Sequence, residues 1–385
     1  MSHVSIRGLY GLRAFAALGV FGVHFQQLSG VEFGDLGPFQ VSRLLTNGNT
    51  GVALFFTLSG FLLSVPFWRA RRIGLPRPST RRYLLRRFAR IVPLYYVCLT
   101  ALILGYGYWQ STDQIRDALA HYTFVFNYSS DYFYSINAPF WTIAVEMQFY
   151  LLLPGLFIVL THCGARLATI LVGLLATGCY FAHVSILAYA PDVTVFAEAM
   201  GVDNFSGAAL TRSVLAHLPH FLIGVIAAQF FEQSDARPEV VSRQLGWSIV
   251  FWCNTVVVML VIATPLDDVL TITGGRYNLP LVPVCLALVV LSIPRTGIAR
   301  KIFEGRCVRW LGIVSYGIYL FHLPVLELVV RGMPLLGGSV QENWLIFASV
   351  SLFATVLLAG ISYVVFERPV MSWIDSRSNR ANRDA

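Results

Sequence analysis

Ten apolar runs, each close to the length needed to cross a bilayer, dominate this chain and leave little room for anything else. They fall at about 9–28, 49–68, 88–108, 140–161, 165–187, 212–231, 245–264, 278–293, 309–329 and 343–365. A helix of about 20 apolar residues spans the ~30 Å hydrocarbon core. The chain is 56% hydrophobic and 12% charged, with a mean hydropathy of +0.65. A soluble domain carries about twice that share of charge. The expected fold class is all-α: a polytopic integral membrane protein of about ten transmembrane helices, forming one domain over residues 1–385 with a polar tail at 370–385. The connections at 69–87, 109–139 and 188–211 are the longest, and none holds a separate soluble domain. The first run has the length of a signal peptide. It lacks a small-residue cleavage site, and Arg13 and His24 interrupt the apolar core such a peptide needs, so it is expected to remain as a span.

The net charge of +8 follows membrane topology and does not point to nucleic acid. Arg69, Arg71, Arg72, Arg77, Arg81, Arg82, Arg86, Arg87 and Arg90 crowd one connection with no acid among them. Arg295, Arg300, Lys301, Arg306 and Arg309 fill another, and Arg368, Arg377, Arg380 and Arg383 follow the last run. The alternate connections are poor in basic residues. By the positive-inside rule both termini and the even-numbered connections are cytoplasmic. The expected location is the cell membrane, multi-pass, of the bacterial inner-membrane type. Cys98, Cys163, Cys179, Cys253, Cys285 and Cys307 are scattered with no CxxC spacing and read as small hydrophobes, neither disulfides nor metal ligands.

Against that apolar background the polar residues inside spans stand out. Arg13 and His24 share the first run. Their separation of eleven residues is about 1100° of helix, three turns and about 20°, so both lie on one face, about 16 Å apart along the axis. Ionisable groups at bilayer depth are expensive and usually face a protein interior or wet cavity. A structural hydrogen-bonding role inside a bundle reads the same way from this pair alone.

Arg87 and Arg90, at i and i+3, share a face at the cytoplasmic mouth of the third run. Paired guanidiniums there suit phosphate oxygens, although basic residues flanking a span also fix orientation and touch anionic lipid. Glu146 lies about six residues below the outer surface in the fourth run, and His24 about four residues below it in the first. At similar depth an acid and an imidazole can form a base and its orienting partner, or simply satisfy each other in a bundle. In the ninth run His322 also climbs to the outer half, with Tyr316 and Tyr319 lower. Glu367 and Arg368 read as an ion pair at a helix end. His217 and His220, spaced i, i+3 across Pro219 with no Cys or carboxylate cluster beside them, do not make a convincing metal site, and no metal is expected. Asn47, Asn127, Asn137, Trp109 and the tyrosines at 122–134 give the outer connections a sugar-compatible surface, though such residues also anchor membrane interfaces.

Taken in order, these segments resemble the acyltransferase-3 family of integral membrane acyltransferases. The likeness rests on Arg13 and His24 with ten residues between them, GVALFFTLSGFLL at 51–63, and RFARIVPLYY with its Arg-x-x-Arg. FWTIAVEMQFYLLLP, PHFLIG, SYGIYLFH and a closing FERP complete the set. The resemblance implies O-acyl transfer, usually of acetyl, from cytoplasmic acyl-CoA to a hydroxyl of a glycan or related acceptor. It implies His24 as the catalytic histidine with Arg13 in support, Arg87 and Arg90 at the acyl donor, and Glu146 at the family's acidic position. Tyr316 and His322 match the late motif, and Trp141 joins them on the substrate side. Where the family commonly has two adjacent acids, this chain has Glu146-Met147. Some members carry a fused soluble hydrolase-like domain, which this chain is expected to lack. The alternative is a transporter or flippase of a lipid-linked sugar or anion, using the same buried charges without acylation.

Overall fold

The structure, a computed structural model, describes residues 6–199, 211–234, 241–266 and 281–381. Residues 200–210 of the long connection, the first three residues of the eighth run and the last four of the tail lie outside the described residues. Among the described residues the regular structure is helical apart from a hairpin pairing Asp35–Leu36 with Phe39–Gln40. In hydrocarbon a helix satisfies its backbone groups within one segment, and runs of this composition have no cheaper option.

The helices are α1 (Leu9–Ser29), α2 (Val41–Thr46), α3 (Thr50–Arg72), α4 (Thr80–Tyr106) and α5 (Thr112–Tyr122). They continue with α6 (Phe140–Leu160), α7 (Ala165–Ala199), α8 (Val214–Ser234), α9 (Val241–Ala263) and α10 (Leu281–Ser292). The last five are α11 (Ile298–Phe303), α12 (Arg306–Ile313), α13 (Ser315–Gly332), α14 (Trp344–Ser362) and α15 (Arg368–Ala381). Eight segments among the described residues are long and apolar enough to cross a membrane, in α3, α4, α6, α7, α8, α9, α13 and α14. The protein is therefore a multi-pass membrane protein. The 21-residue α1 and the shorter apolar α10 occupy the first and eighth expected runs.

Several boundaries move from the expected ones. Helix α4 begins at Thr80, eight residues before the expected span, behind an N-cap at Ser79, so Arg81 to Arg87 ride on the helix. The expected 309–329 span begins at Ser315, because Val314 (φ −88°, ψ 6°) leaves helical geometry and separates α12 from α13. Helix α7 holds a break at Tyr189 (φ −112°, ψ 16°). The expected polar tail is helical as far as Ala381. Of the cysteines, Cys98, Cys179 and Cys285 are buried as expected, whereas Cys253 and Cys307 are exposed.

Contacts divide the chain into two compact units. The first comprises residues 1–72 and 220–357. Here α1 packs on α3, α12 and α13, and α10 on α9 and α3. A core of Phe21, Phe25, Leu326, Met333 and Phe347 joins α1 to α13 and α14, with Phe25 stacked on Phe347 at 5.5 Å. Helices α3 and α8 cross where Gly60 meets the Phe221 backbone and Gly224 meets the Thr57 carbonyl, a separation that leaves no room for a Cβ. Nearby, Glu232 (1% exposed) accepts from Arg69 at 2.7 Å and Arg72 at 3.2 Å.

The second unit comprises residues 73–219 and 358–385. Helix α4 packs on α6, α5 and α15, and Arg86 pairs with Asp375 of α15 at 2.7 Å. Helix α5 is docked by polar groups. Asp117 and His121 are buried together at 2.9 Å, Tyr108 donates to Asp117 at 2.8 Å, and Tyr95 donates to the His121 carbonyl at 3.2 Å. Burial and then the bond to Asp117 push the Tyr108 hydroxyl up to about 12, so it stays a donor at neutral pH.

The α3–α8 crossing gives a direct test. Gly60→Val is expected to lower stability by roughly 1–3 kcal/mol through overpacking, read as a reduced melting temperature in detergent. Gly155→Val, whose site has open space, is the control and should leave the melting temperature within experimental scatter.

Candidate active site

Helix α1 carries Arg13 and His24, and α13 supplies a partner to each. Arg13 Nε donates to Ser315 Oγ at 3.2 Å, and its guanidinium lies 5.6 Å from the Phe55 ring centroid. His24 Nδ1 lies 3.2 Å from His322 Nε2 and 3.0 Å from the Val20 carbonyl oxygen. His322 Nδ1 lies 2.7 Å from the Tyr319 carbonyl oxygen. The two imidazoles meet edge to face at 5.0 Å, and Tyr319 links them to Phe55, with centroids 5.7 Å from His322 and 5.8 Å from Phe55. His322 is buried and His24 is half-buried. Tyr316 is buried in the first turn of α13. Glu327 also bears on His24 electrostatically. It was not singled out in the sequence, where it resembles any carboxylate near the outer end of a span.

The contacts set the direction of packing. Eleven residues along α1 match seven along α13 in the same sense, so the two helices run parallel. The ~6 Å difference in rise is within the reach of the Arg13 side chain.

A second cluster belongs to the other unit. Glu146 accepts from the Tyr150 hydroxyl at 2.7 Å. Arg87 lies 5.9 Å from the Tyr83 ring centroid and interacts electrostatically with Tyr150, Arg90, Tyr83 and Glu146. Its Nε is buried with no hydrogen-bond acceptor among the described residues. Depth counting placed Arg87 at the cytoplasmic mouth and Glu146 in the outer half. The two nevertheless share a cluster, because Arg87 sits seven residues, about 10 Å, inside α4 and carries a long side chain. Glu146, expected to orient His24, thus has Tyr150 and Arg87 as neighbours within its own unit, while the group hydrogen-bonded to His24 is His322. Tyr83 carries no signal in the sequence, since a tyrosine in a span is not distinctive until its neighbours are known.

In the same unit, Trp141 stacks near His217 at 5.0 Å and under the Arg212 guanidinium at 5.2 Å, and Arg212 also donates to the Tyr134 hydroxyl at 3.0 Å. His220 packs edge-on to Phe56 at 6.5 Å in the first unit. Among the described residues no group of three or more His, Cys, Asp or Glu could hold a metal ion.

The acyltransferase-3 pattern, an acyltransferase domain, matches residues 6–364, and the chain belongs to that family. It is 24% identical over 386 residues to the peptidoglycan O-acetyltransferase OatA of Listeria monocytogenes, covering 96% of this chain and 56% of that protein. The putative peptidoglycan O-acetyltransferase YrhL of Bacillus subtilis is 27% identical over 96% of this chain and 55% of its own length. A putative O-acetyltransferase of Staphylococcus aureus is 26% identical, over 94% and 57%. The chain therefore spans a little over half the length of these relatives. No solved structure matches it.

The Tyr150–Glu146 bond is testable on its own. Tyr150→Phe and Glu146→Gln, alone and together, are expected to be non-additive in thermal unfolding by roughly 1–3 kcal/mol. Strict additivity would mean that the two side chains do not interact.

Proposed function

We propose that this protein is a membrane O-acyltransferase moving an acyl group, acetyl in the first instance, from acyl-CoA to a hydroxyl of a peptidoglycan-type glycan. The observation that carries the reading is His24 Nε2. It sits on a half-buried imidazole, makes no hydrogen bond among the described residues, and is backed on its other nitrogen by His322. Family membership and the O-acetyltransferase relatives, two of them named for peptidoglycan, support the reaction class and the acceptor.

In this reading His24 takes the proton of the acceptor hydroxyl as its oxygen attacks the thioester carbonyl. The carbon–sulfur bond breaks, CoA leaves as thiolate, and the proton carried by His24 neutralises it. A general base of this kind contributes about 10²–10⁴ in rate. Arg87 and Arg90 bind the donor phosphates. The buried Arg87 Nε lacking an acceptor suits that role, since a phosphate oxygen would satisfy it. Glu146 and Tyr150 hold Arg87 in place. Arg13, fixed by Ser315 and Phe55, contacts the donor, and Trp141 and Tyr316 lie on the substrate side.

The ten-span arrangement with cytoplasmic termini is part of the same proposal. Six span-length helices lie between α1 and α13 in the chain, namely α3, α4, α6, α7, α8 and α9. Six single crossings would leave α13 antiparallel to α1. Their parallel contacts support a seventh crossing, by the short α10.

Purified protein in nanodiscs, given acetyl-CoA and soluble peptidoglycan fragments, should release CoA and acetylate the fragments. His24→Ala is expected to lose at least about 100-fold in turnover with acetyl-CoA binding retained. Arg90→Ala should weaken donor binding by roughly 10-fold or more. Undiminished turnover in His24→Ala would overturn the assignment, and absence of acetyl-CoA binding by the wild type would overturn the reaction.

A further inference from the structure

We infer that His322 is a positioning residue that, together with the Val20 carbonyl, holds His24 in the tautomer bearing its proton on Nδ1, leaving the Nε2 lone pair free for the acceptor. The inference rests on the acyltransferase reading above and assigns the late Ser-Tyr-Gly-Ile-Tyr-Leu-Phe-His segment a physical task.

Donors and acceptors alone determine the arrangement. A carbonyl oxygen only accepts, so a nitrogen bonded to one must carry hydrogen. His322 Nδ1, 2.7 Å from the Tyr319 carbonyl, is therefore N–H. A neutral imidazole with hydrogen on Nδ1 has a bare Nε2, and that nitrogen is the one facing His24 Nδ1 at 3.2 Å. His24 Nδ1 is itself 3.0 Å from the Val20 carbonyl, so it too is N–H, shared between Val20 and His322. Every contact agrees with this one assignment. The alternative, with hydrogen on His322 Nε2, would require a second proton on the ring or leave the Tyr319 carbonyl facing a lone pair.

The surroundings hold the relay still. His322 is 1% exposed. Phe21, Phe25 and Leu326 of the buried core flank the pair in sequence on α1 and α13. Hydrogen bonds in such surroundings are stronger than in water. When His24 Nε2 takes up the acceptor proton, Nδ1 remains a donor to His322, so the imidazolium keeps its partner throughout. The arrangement parallels the carboxylate–histidine pair of serine hydrolases, with a neutral imidazole as the accepting group.

Two measurements on the full chain in nanodiscs test this. In ¹⁵N-histidine-labelled protein the His24 signals are isolated from those of the eight histidines by difference against His24→Ala. They should show a protonated Nδ1 and a bare Nε2, and the Nδ1–H resonance should shift in His322→Leu, where the Val20 carbonyl is the acceptor that remains. Second, His322→Leu should lower kcat for acetyl-CoA-dependent acetylation of peptidoglycan fragments by roughly 10- to 100-fold, a part of the general-base contribution, with KM for acetyl-CoA unchanged. His322→Gln, whose amide oxygen can accept from His24, should recover most of the loss. A protonated Nε2 in the wild type, or equal kcat for the Leu and Gln variants, would overturn the inference. Should the wild type neither bind acetyl-CoA nor acetylate the fragments, the acyltransferase reading falls, while the nitrogen spectrum still decides what His322 does to His24.

Discussion

Everything in the first unit is arranged around the need to find partners for two polar side chains on one apolar helix. Arg13 and His24 lie on α1 among residues such as Leu12, Val20 and Phe25 that are buried against neighbours. Leaving either group unpaired at that depth is far costlier than pairing it. Helix α13 meets both, with Ser315 at one level and His322 at the other, and can do so only by running parallel to α1. The register of the two helices, and the core that Phe25, Leu326 and Phe347 form beyond the histidines, follow from those two hydrogen bonds.

The second unit solves a different problem, how to keep a cation buried and available. Arg87 lies 5.9 Å from the Tyr83 ring centroid and interacts electrostatically with Tyr150 and Glu146, which are hydrogen-bonded to each other. Arg69 and Arg72, on the same basic stretch of sequence, are spent on Glu232, and Arg86 on Asp375. Arg87 differs in having no carboxylate ion pair among the described residues, and its Nε, like that of Arg86, has no acceptor there. One arginine-rich connection thus divides into structural members and a member suited to a ligand.

How far the sequence could be read depended on the range of the interaction. Spans were legible because hydropathy is a sum over neighbours in the chain, and the short eighth run was legible for the same reason. Helix α5 was passed over as part of a connection, although Ser111 followed by Gln114 is a start signal and Ser111 does accept from the Gln114 amide at 3.2 Å. The common depth of His24 and His322 could be counted, but their pairing joins positions 298 residues apart and depends on which helices are neighbours. Depth counting sets Arg87 and Glu146 at different levels, and their electrostatic interaction emerges only when side-chain length is added to backbone position. Glu327 carried no signal at all. Its relation to His24 exists only once α1 and α13 are packed.

Helix α14 passes into α15 through a π-helical turn at Tyr363–Glu367, closed by the Arg368 amide bonding to the Tyr363 carbonyl. Such a turn takes one more residue than the α-helix around it. Removing that extra residue would turn all of α15 by about 100° about its axis. Asp375 would then swing away from Arg86, and Glu367, now 8% exposed, would no longer point where it does. The turn at Tyr363–Glu367 therefore acts as a phase adjuster that sets the azimuth of α15 relative to the end of α14.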